Sequence, residues 1–426
     1  MLDHADRLEP IYSKVSRRVL PLLLLGYIAA YLDRVNVGFA KLQMVDDLGF
    51  SQTIYGLGAG IFFLGYFLFE VPSNILLHRI GARVWIARIM ISWGVVSAAM
   101  MFVTTPATFY ALRFLLGVAE AGFFPGVIFY LTQWYPAQRR GRVIAIFMTG
   151  IAISSATGSV LSGWILQAFD RLYGWAGWQW LFLLEALPAI VIGFCIFFRL
   201  TNTIESASWL SSDEKRLLSN ELASEAGTKR LGTYGDAFRS GRVWFACLIY
   251  FCIVTGLYGI AFWLPTIIAD MGIKDSLHIG LLSAIPYAFA ALGMVLIGRS
   301  ADRRGERRWH VAVPAALGAV GLVLSVILSQ NNTMALAALT LATVGIFTAT
   351  PLFWSIPTAF LSGATAPAGI AIINSFGNLA GFVSPYGVGW IRDHTGSTAA
   401  GVYSIAGFVF MGAVLVIAGI PALPRK

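Results

Sequence analysis

Charge is scarce in this chain. Only 12% of its 426 residues are Asp, Glu, Lys or Arg, about half the usual share in a soluble globular domain. With 58% of the residues hydrophobic, a water-exposed surface over most of the chain is excluded. Cysteine is scarce too. Cys195, Cys247 and Cys252 all lie in apolar stretches and form no Cys-x-x-Cys pair, so they read as small buried hydrophobes, not as a disulfide framework or a metal site. The five histidines are scattered. No Ser/His/Asp set, metal-ligand cluster or phosphate-binding glycine loop is present, so no enzyme activity, cofactor or metal is expected. The net charge of +9 does not point to nucleic acid, because the bases sit in short loops without interleaved aromatics.

What is present is a series of long apolar runs, each near the roughly 20 residues needed to cross a bilayer. They fall at about 17–40, 54–77, 84–104, 107–131, 142–169 and 178–199, and then at about 242–269, 277–298, 309–329, 333–356, 368–391 and 398–420. Runs this long and this apolar cross as helices. The expected fold is therefore all-α and integral to the membrane, with twelve transmembrane helices in two six-helix halves, 1–199 and 242–426. A polar linker, 200–241, joins them and carries Glu205, Asp213, Glu214, Lys215, Arg216, Glu221, Lys229, Arg230 and Arg239. Within it Ser211 or Ser212 reads as the cap of a short helix. The polar N-terminus, Met1 to Arg18, is followed by an apolar run without a small-residue cleavage site, so that run is expected to be a retained helix.

Orientation follows from the bases. With both termini inside, the tails and inner loops hold 24 of the 30 Lys and Arg. The outer loops hold Lys41, Arg171, Lys274 and Arg392, while Arg34 and Arg113 fall within spans. Positive charge marks the cytoplasmic side, so both termini and the linker are expected there.

The two halves share a loop pattern. After the second run comes Asn74-Ile-Leu-Leu-His78-Arg79-Ile80-Gly81-Ala82-Arg83; after the eighth comes Gly298-Arg-Ser-Ala-Asp302-Arg303-Arg304-Gly305-Glu306-Arg307. Two ordinary basic loops explain the charge but poorly explain the matched Arg, Gly and Arg. The second copy resembles the loop motif of the major facilitator superfamily, and the 6+6 layout extends that resemblance over the whole chain. It implies a charged latch at these loops, formed by His78, Arg79, Gly81 and Arg83 in one half and by Gly298, Asp302, Arg303, Gly305 and Arg307 in the other. Asn74 and His78 depart from the pattern, which makes Asp302 the better candidate for a carboxylate latch.

Charges inside the spans are few: Asp33, Arg34, Glu70, Arg113, Glu120 and Glu185. A charge at bilayer depth costs roughly 2.5–3.5 kcal/mol on insertion scales and needs a partner or a watery cavity. Arg113 and Glu120 are seven residues apart, on one helix face and separated by roughly 10 Å. They are too distant to pair with each other, so Asp33 and Arg34 of the first span are their expected partners. A structural ion-pair cluster is the alternative. A carrier for an anion needs a cation at mid-depth, and a proton-coupled one also needs a buried carboxylate.

Several segments narrow the resemblance to the anion:cation symporter branch. They are Tyr31-Leu-Asp33-Arg34-Val-Asn36, Phe69-Glu70-Val-Pro72-Ser-Asn74, Gly117-Val-Ala-Glu120-Ala-Gly-Phe-Phe-Pro125-Gly and Phe262-Trp263-Leu264-Pro265. Within it the chain is similar to bacterial permeases for tartrate, phthalate, hydroxyphenylacetate and sugar acids. That resemblance implies proton carriage by Asp33 and Glu120, carboxylate binding or gating by Arg34 and Arg113, and a substrate hydrogen bond from Tyr66. In the eleventh span Asn374 and Asn378, four apart, share a face; they serve either helix packing or the binding of substrate hydroxyls or a second substrate carboxylate. Tyr258, Trp263 and Trp354 are candidates for an apolar wall. Glu70 suits a gate or packing role, and Glu185 has no assignable one.

The expectation is a monomeric secondary transporter of the inner membrane. It imports an organic anion, with the proton as coupling ion, through two halves that rock about a central site. A sugar-acid uniporter or exchanger and a transporter-like sensor are the alternatives.

Overall fold

The computed structural model describes residues 4–226, 234–361 and 365–420; Lys229 and Arg230 of the linker lie outside the described residues. The first half of the chain forms α1 (His4–Leu48), α2 (Gln52–Ile80), α3 (Ala82–Ala99), α4 (Pro106–Glu120), α5 (Phe123–Thr132), α6 (Ala137–Ala168) and α7 (Gly177–Arg199). The linker contributes α8 (Ser212–Ala226) and α9 (Tyr234–Arg239). The second half forms α10 (Gly241–Ala269), α11 (Ser276–Arg304), α12 (Arg308–Ile327), α13 (Asn332–Phe353), α14 (Pro357–Phe360), α15 (Thr365–Asn378), α16 (Ala380–Thr395) and α17 (Thr398–Gly419). No strand occurs among the described residues.

Among the described residues, eleven stretches are long and apolar enough to cross a membrane. One of them is α4 followed by α5, and α15 stacked on α16 supplies the twelfth crossing. Successive crossings alternate in direction, which gives the molecule a linker face and an opposite face. Turns at the opposite face are short and well capped. Ser51, Asp275 and Asn331 each accept from the backbone N–H three residues on, and Thr105 and Thr108 form a reciprocal capping box ahead of Pro106. Such caps satisfy the N–H groups that a helix start leaves unpaired. The linker helix uses the same device: Ser211 Oγ accepts from Glu214 N–H, and Glu214 Oε2 accepts from Ser211 N–H. Of the two expected cap residues, Ser211 fills the role. Lys14 of α1 pairs with Glu214 at 2.9 Å and ties α8 to the first half.

The fourth crossing is not the continuous helix that its apolar run suggests. It breaks at Ala121–Gly122, directly after Glu120, and Gly122 takes a left-handed φ of 86°. A side chain there would be strained, and its Cβ would also lie 2.4 Å from Ser73 Oγ.

The two six-helix bundles meet along a seam formed mainly by α1 with α10, α2 with α16 and α6 with α11, with α2 also touching α15 and α6 touching α13. Glycines set the approach on α6 and α11. A Cβ on Gly163 would lie 2.5 Å from the Ser276 carbonyl, and one on Gly280 would lie 2.4 Å from the Ser159 carbonyl. Small residues at such crossings let helices approach backbone to backbone.

Candidate functional site at the centre of the seam

Asp33 and Arg34 sit at mid-depth. Fifteen residues separate Asp33 from Arg18 on the linker side, and thirteen separate it from Asp46 on the other. At 1.5 Å per residue these are roughly 22 and 20 Å. Neighbouring helix residues diverge by about 100°, so the two charges point to different places. Arg34 turns to the seam and pairs with Glu120. Its guanidinium is framed by the rings of Tyr31, Tyr66 and Phe62, with centroids 5.3, 5.4 and 5.6 Å away. Asp33 turns into the first bundle. There its Oδ1 accepts from Ser97 of α3 and, at 3.1 Å, from Asn36 Nδ2. Its Oδ2 has no donor among the described residues.

Arg113 is fully buried and forms no ion pair with Glu120 or Asp33. Its Nε and Nη2 donate to the carbonyls of Gly58 and Ala59, each at 3.1 Å, and its guanidinium lies 5.0 Å from the Phe62 ring. The expected four-residue network is therefore one ion pair, Arg34–Glu120, with Asp33 and Arg113 set beside it on separate neutral partners. Charge complementarity pointed to the first span as the partner of Glu120 without singling out this pair. It could not foretell that α2 would offer two carbonyls to Arg113.

Glu70 reaches across the seam. Its two oxygens accept from Asn374 Nδ2 at 3.3 Å and from Ser375 Oγ at 3.0 Å. Asn378 Oδ1 accepts from Tyr258 OH at 3.2 Å, and the Tyr258 ring packs against Phe63 at 4.4 Å. The two asparagines thus share a helix face but engage different partners, one in each bundle. Glu185, buried on α7, accepts from Ser162 Oγ at 2.7 Å and lies against the Asn36 amide.

The loop residues behave differently from the core ones. Asp302 pairs with Arg307 of its own turn at 2.7 Å, and Gly305 between them takes a left-handed φ of 60°. No cross-loop ion pair involving His78, Arg79 or Arg303 occurs among the described residues. His78 instead packs on the Phe129 ring at 3.8 Å. Gly81, with φ 98°, ends α2, and Arg83 N–H donates to Asn202 at 2.9 Å. Around Gly298 there is open space.

Sequence reasoning placed Lys41 in an outer loop. In the structure it lies inside α1, buried at the seam, and its Nζ sits 3.5 Å over the Trp263 ring. The missed signal is that α1 continues to Leu48, so position 41 is two turns above Arg34 on the same face. A groove of about 700 Å³ opens elsewhere, on the outer surface between α6 and α11. Ala156, Val160, Leu161, Trp164 and Ile285 line it; it carries no charge and is not continuous with the residues above.

Comparison with known proteins agrees with this architecture. The model of the Major Facilitator Superfamily matches residues 23–385. The chain is 49% identical over 427 residues to the "Putative metabolite transport protein NicT" of Pseudomonas putida, covering 100% of this chain and 96% of that protein. It is also 49% identical over 418 residues to a "Putative tartrate transporter" of Agrobacterium vitis, covering 97% and 95%. Among solved structures, the D-xylose–proton symporter superposes with a TM-score of 0.77 at 15% identity, covering 96% of this chain and 99% of that one; at that identity it speaks to the fold alone. With twelve crossings in two bundles around a polar centre, this chain belongs to the Major Facilitator Superfamily and is a multi-pass membrane transporter.

Proposed function

We propose that this transporter imports an organic anion together with protons by alternating access. Its substrate is a carboxylate such as tartrate, an aromatic acid or a sugar acid. The observation that carries this reading is the Arg34–Glu120 pair, held at mid-depth among three aromatic rings at the seam. Glu120 and a substrate carboxylate compete for one guanidinium. Protonating Glu120 removes the internal competitor and frees Arg34 for the anion. Losing that proton restores the pair and expels the anion. Proton and substrate then bind in that order and leave together, which is the logic of symport. Asp33, held by neutral donors only, is a second proton site, and Arg113 supplies a second positive charge to the chamber. Tyr66, whose ring lies 5.4 Å from the Arg34 guanidinium, donates to a substrate hydroxyl or carboxylate in this reading, and Asn374 and Asn378 contribute from the second bundle.

In this reading the linker face is cytoplasmic, with both termini, in the bacterial inner membrane. Residues 1–199 and 242–426 are the rocking units, 200–241 connects them, and the protein works as a monomer. The latch roles of the two basic loops are retained only locally: Asp302–Arg307 braces its own turn.

Purified protein in liposomes, tested against a panel of these acids, decides the question. Uptake should be driven by an inward proton gradient and accompanied by external alkalinisation. Glu120→Gln should still exchange substrate across the membrane but lose uphill accumulation. Uptake of a carboxylate that ignores an imposed pH gradient would instead mark a uniporter or exchanger.

A further inference from the structure

Lys41 presents a buried cation without a carboxylate partner among the described residues. Its side chain is only 4% exposed. Its Nζ donates to Thr266 Oγ1 at 3.1 Å, sits 3.5 Å from the Trp263 ring centroid and lies 4.9 Å from that of Tyr55. Tyr55 OH in turn donates to the Phe262 carbonyl at 3.2 Å and meets Trp263 edge-on at 5.8 Å. Ring faces attract an ammonium strongly when water is excluded. The charged groups whose fields reach this ammonium are Arg392, Asp270 and Asp393. Asp270 is engaged by Arg392 at 3.1 Å, and Asp393 by the start of α2.

This cage is built from both sides of the seam. Lys41 and Tyr55 belong to α1 and α2 of the first bundle; Trp263 and Thr266 belong to α10 of the second. When the bundles part at the opposite face, α10 takes the indole and the hydroxyl away. The ammonium is then left in the open mouth, seven residues beyond Arg34 on the same helix face, a distance of roughly 10 Å. We infer that Lys41 is the anion-capture site of the outward-open state. It takes a carboxylate from the external solution and passes it two turns down α1 to Arg34. The neutral cage suits that task. A carboxylate partner would remain as a competitor when the mouth opened, as Glu120 does for Arg34, whereas an indole and a hydroxyl leave none.

This inference rests on the proposed import of carboxylates, and the experiment separates the two. Tartrate uptake by the full-length protein in liposomes is measured against concentration and ionic strength for wild type, Lys41→Met, Lys41→Arg and Lys41→Cys. Methionine keeps the length and apolar body of the side chain within the cage. Its apparent KM should rise about tenfold, the effect expected when a steering charge is lost, and uptake should lose most of its salt dependence. Lys41→Arg should restore both. External treatment of Lys41→Cys with an aminoethyl thiol reagent, which rebuilds an ammonium at that position, should do so as well. Unchanged KM and salt dependence in Lys41→Met would overturn the assignment. So would a loss confined to the maximal rate, which would make Lys41 a strut of the closed seam. If wild type carries no member of the carboxylate panel, it is the proposed function that fails.

Discussion

The two ends of the seam are closed by different means. At the opposite face, backbone meets backbone at Gly163 and Gly280, and Gln167 donates to Asp275 at 2.6 Å. Asp393 of α16 accepts from Gln52 N–H, Thr53 N–H and Thr53 Oγ1, capping α2 across the seam. Lys41 adds its cage. On the linker side of Arg34 and Glu120, the side-chain hydrogen bonds seen between the bundles among the described residues are those of Glu70 with Asn374 and Ser375. Backbone contact excludes water and is over-determined. Two hydrogen bonds to one carboxylate are not, because burying that carboxylate against neutral donors costs much of what the bonds return. Among the described residues, the opposite end is therefore the more firmly held of the two.

Breaking the stronger end should have the largest effect. Gly163→Leu places a side chain where a Cβ already lies 2.5 Å from the Ser276 carbonyl. Overpacking of this kind costs about 1–3 kcal/mol, enough to shift a two-state equilibrium roughly 5- to 150-fold. Net uptake should collapse while binding of external substrate persists. Normal uptake by this variant would show that α6 and α11 do not close in the cycle.

A smaller effect is expected from Asp393→Ala. It removes a charged cap from the start of α2, a change worth about 0.5–2 kcal/mol. Spin-label distances across the opposite face should lengthen in a larger fraction of molecules. No change in that distribution would mean that the cap stabilises α2 but not the closed seam.

Glu70→Gln sharpens the comparison from the other side. It keeps an acceptor for Asn374 and Ser375 but removes the buried charge. The linker end should close more firmly, by about 1 kcal/mol, and substrate release on that side should slow about fivefold. Faster release would indicate that the carboxylate itself holds the end shut.

The smallest effect concerns α8, away from both ends. The Ser211 N–H and the Lys14 ammonium beside Glu214 hold its carboxyl below the usual carboxylate range. A carboxyl lowered on folding stabilises the fold above its ordinary pKa, and this stabilisation fades as the pH falls through the lowered value. Amide protection over residues 212–220, taken relative to the intrinsic exchange rate at each pH, should therefore be flat from pH 7 to about 5 and fall below about pH 4. Exposed pairs of this kind contribute about 1 kcal/mol or less, so a large acid effect on transport would have to arise elsewhere.

The crossings were legible because their signal is length and hydropathy, which need no tertiary information. Where one side chain decided the matter, the sequence was less informative. The break after Glu120 follows from Gly122 packing on Ser73, two groups 49 positions apart in the chain. Glu70 finds partners about 300 residues away. Lys41 was misplaced because a lysine near the end of an apolar run ordinarily marks an interface, and only the rings of Tyr55 and Trp263 allow it to remain in the span. A partner for Glu120 in the first span was readable because opposite signs at mid-depth have few ways to be satisfied.

The mid-depth position of Asp33 and Arg34 also sets their electrical distance. A charge crossing the whole membrane gains or loses about 2.3 kcal/mol per 100 mV. One bound halfway senses roughly half of that, about 1.2 kcal/mol, on approach from either side. The voltage sensitivity of such a carrier is thereby shared between loading and release. A proton and a monoanion meeting at Arg34 and Glu120 cancel each other's field energy, whereas a dianion with one proton does not. Under the proposed symport, membrane potential would therefore act with different force on a monoanion and on a dianion.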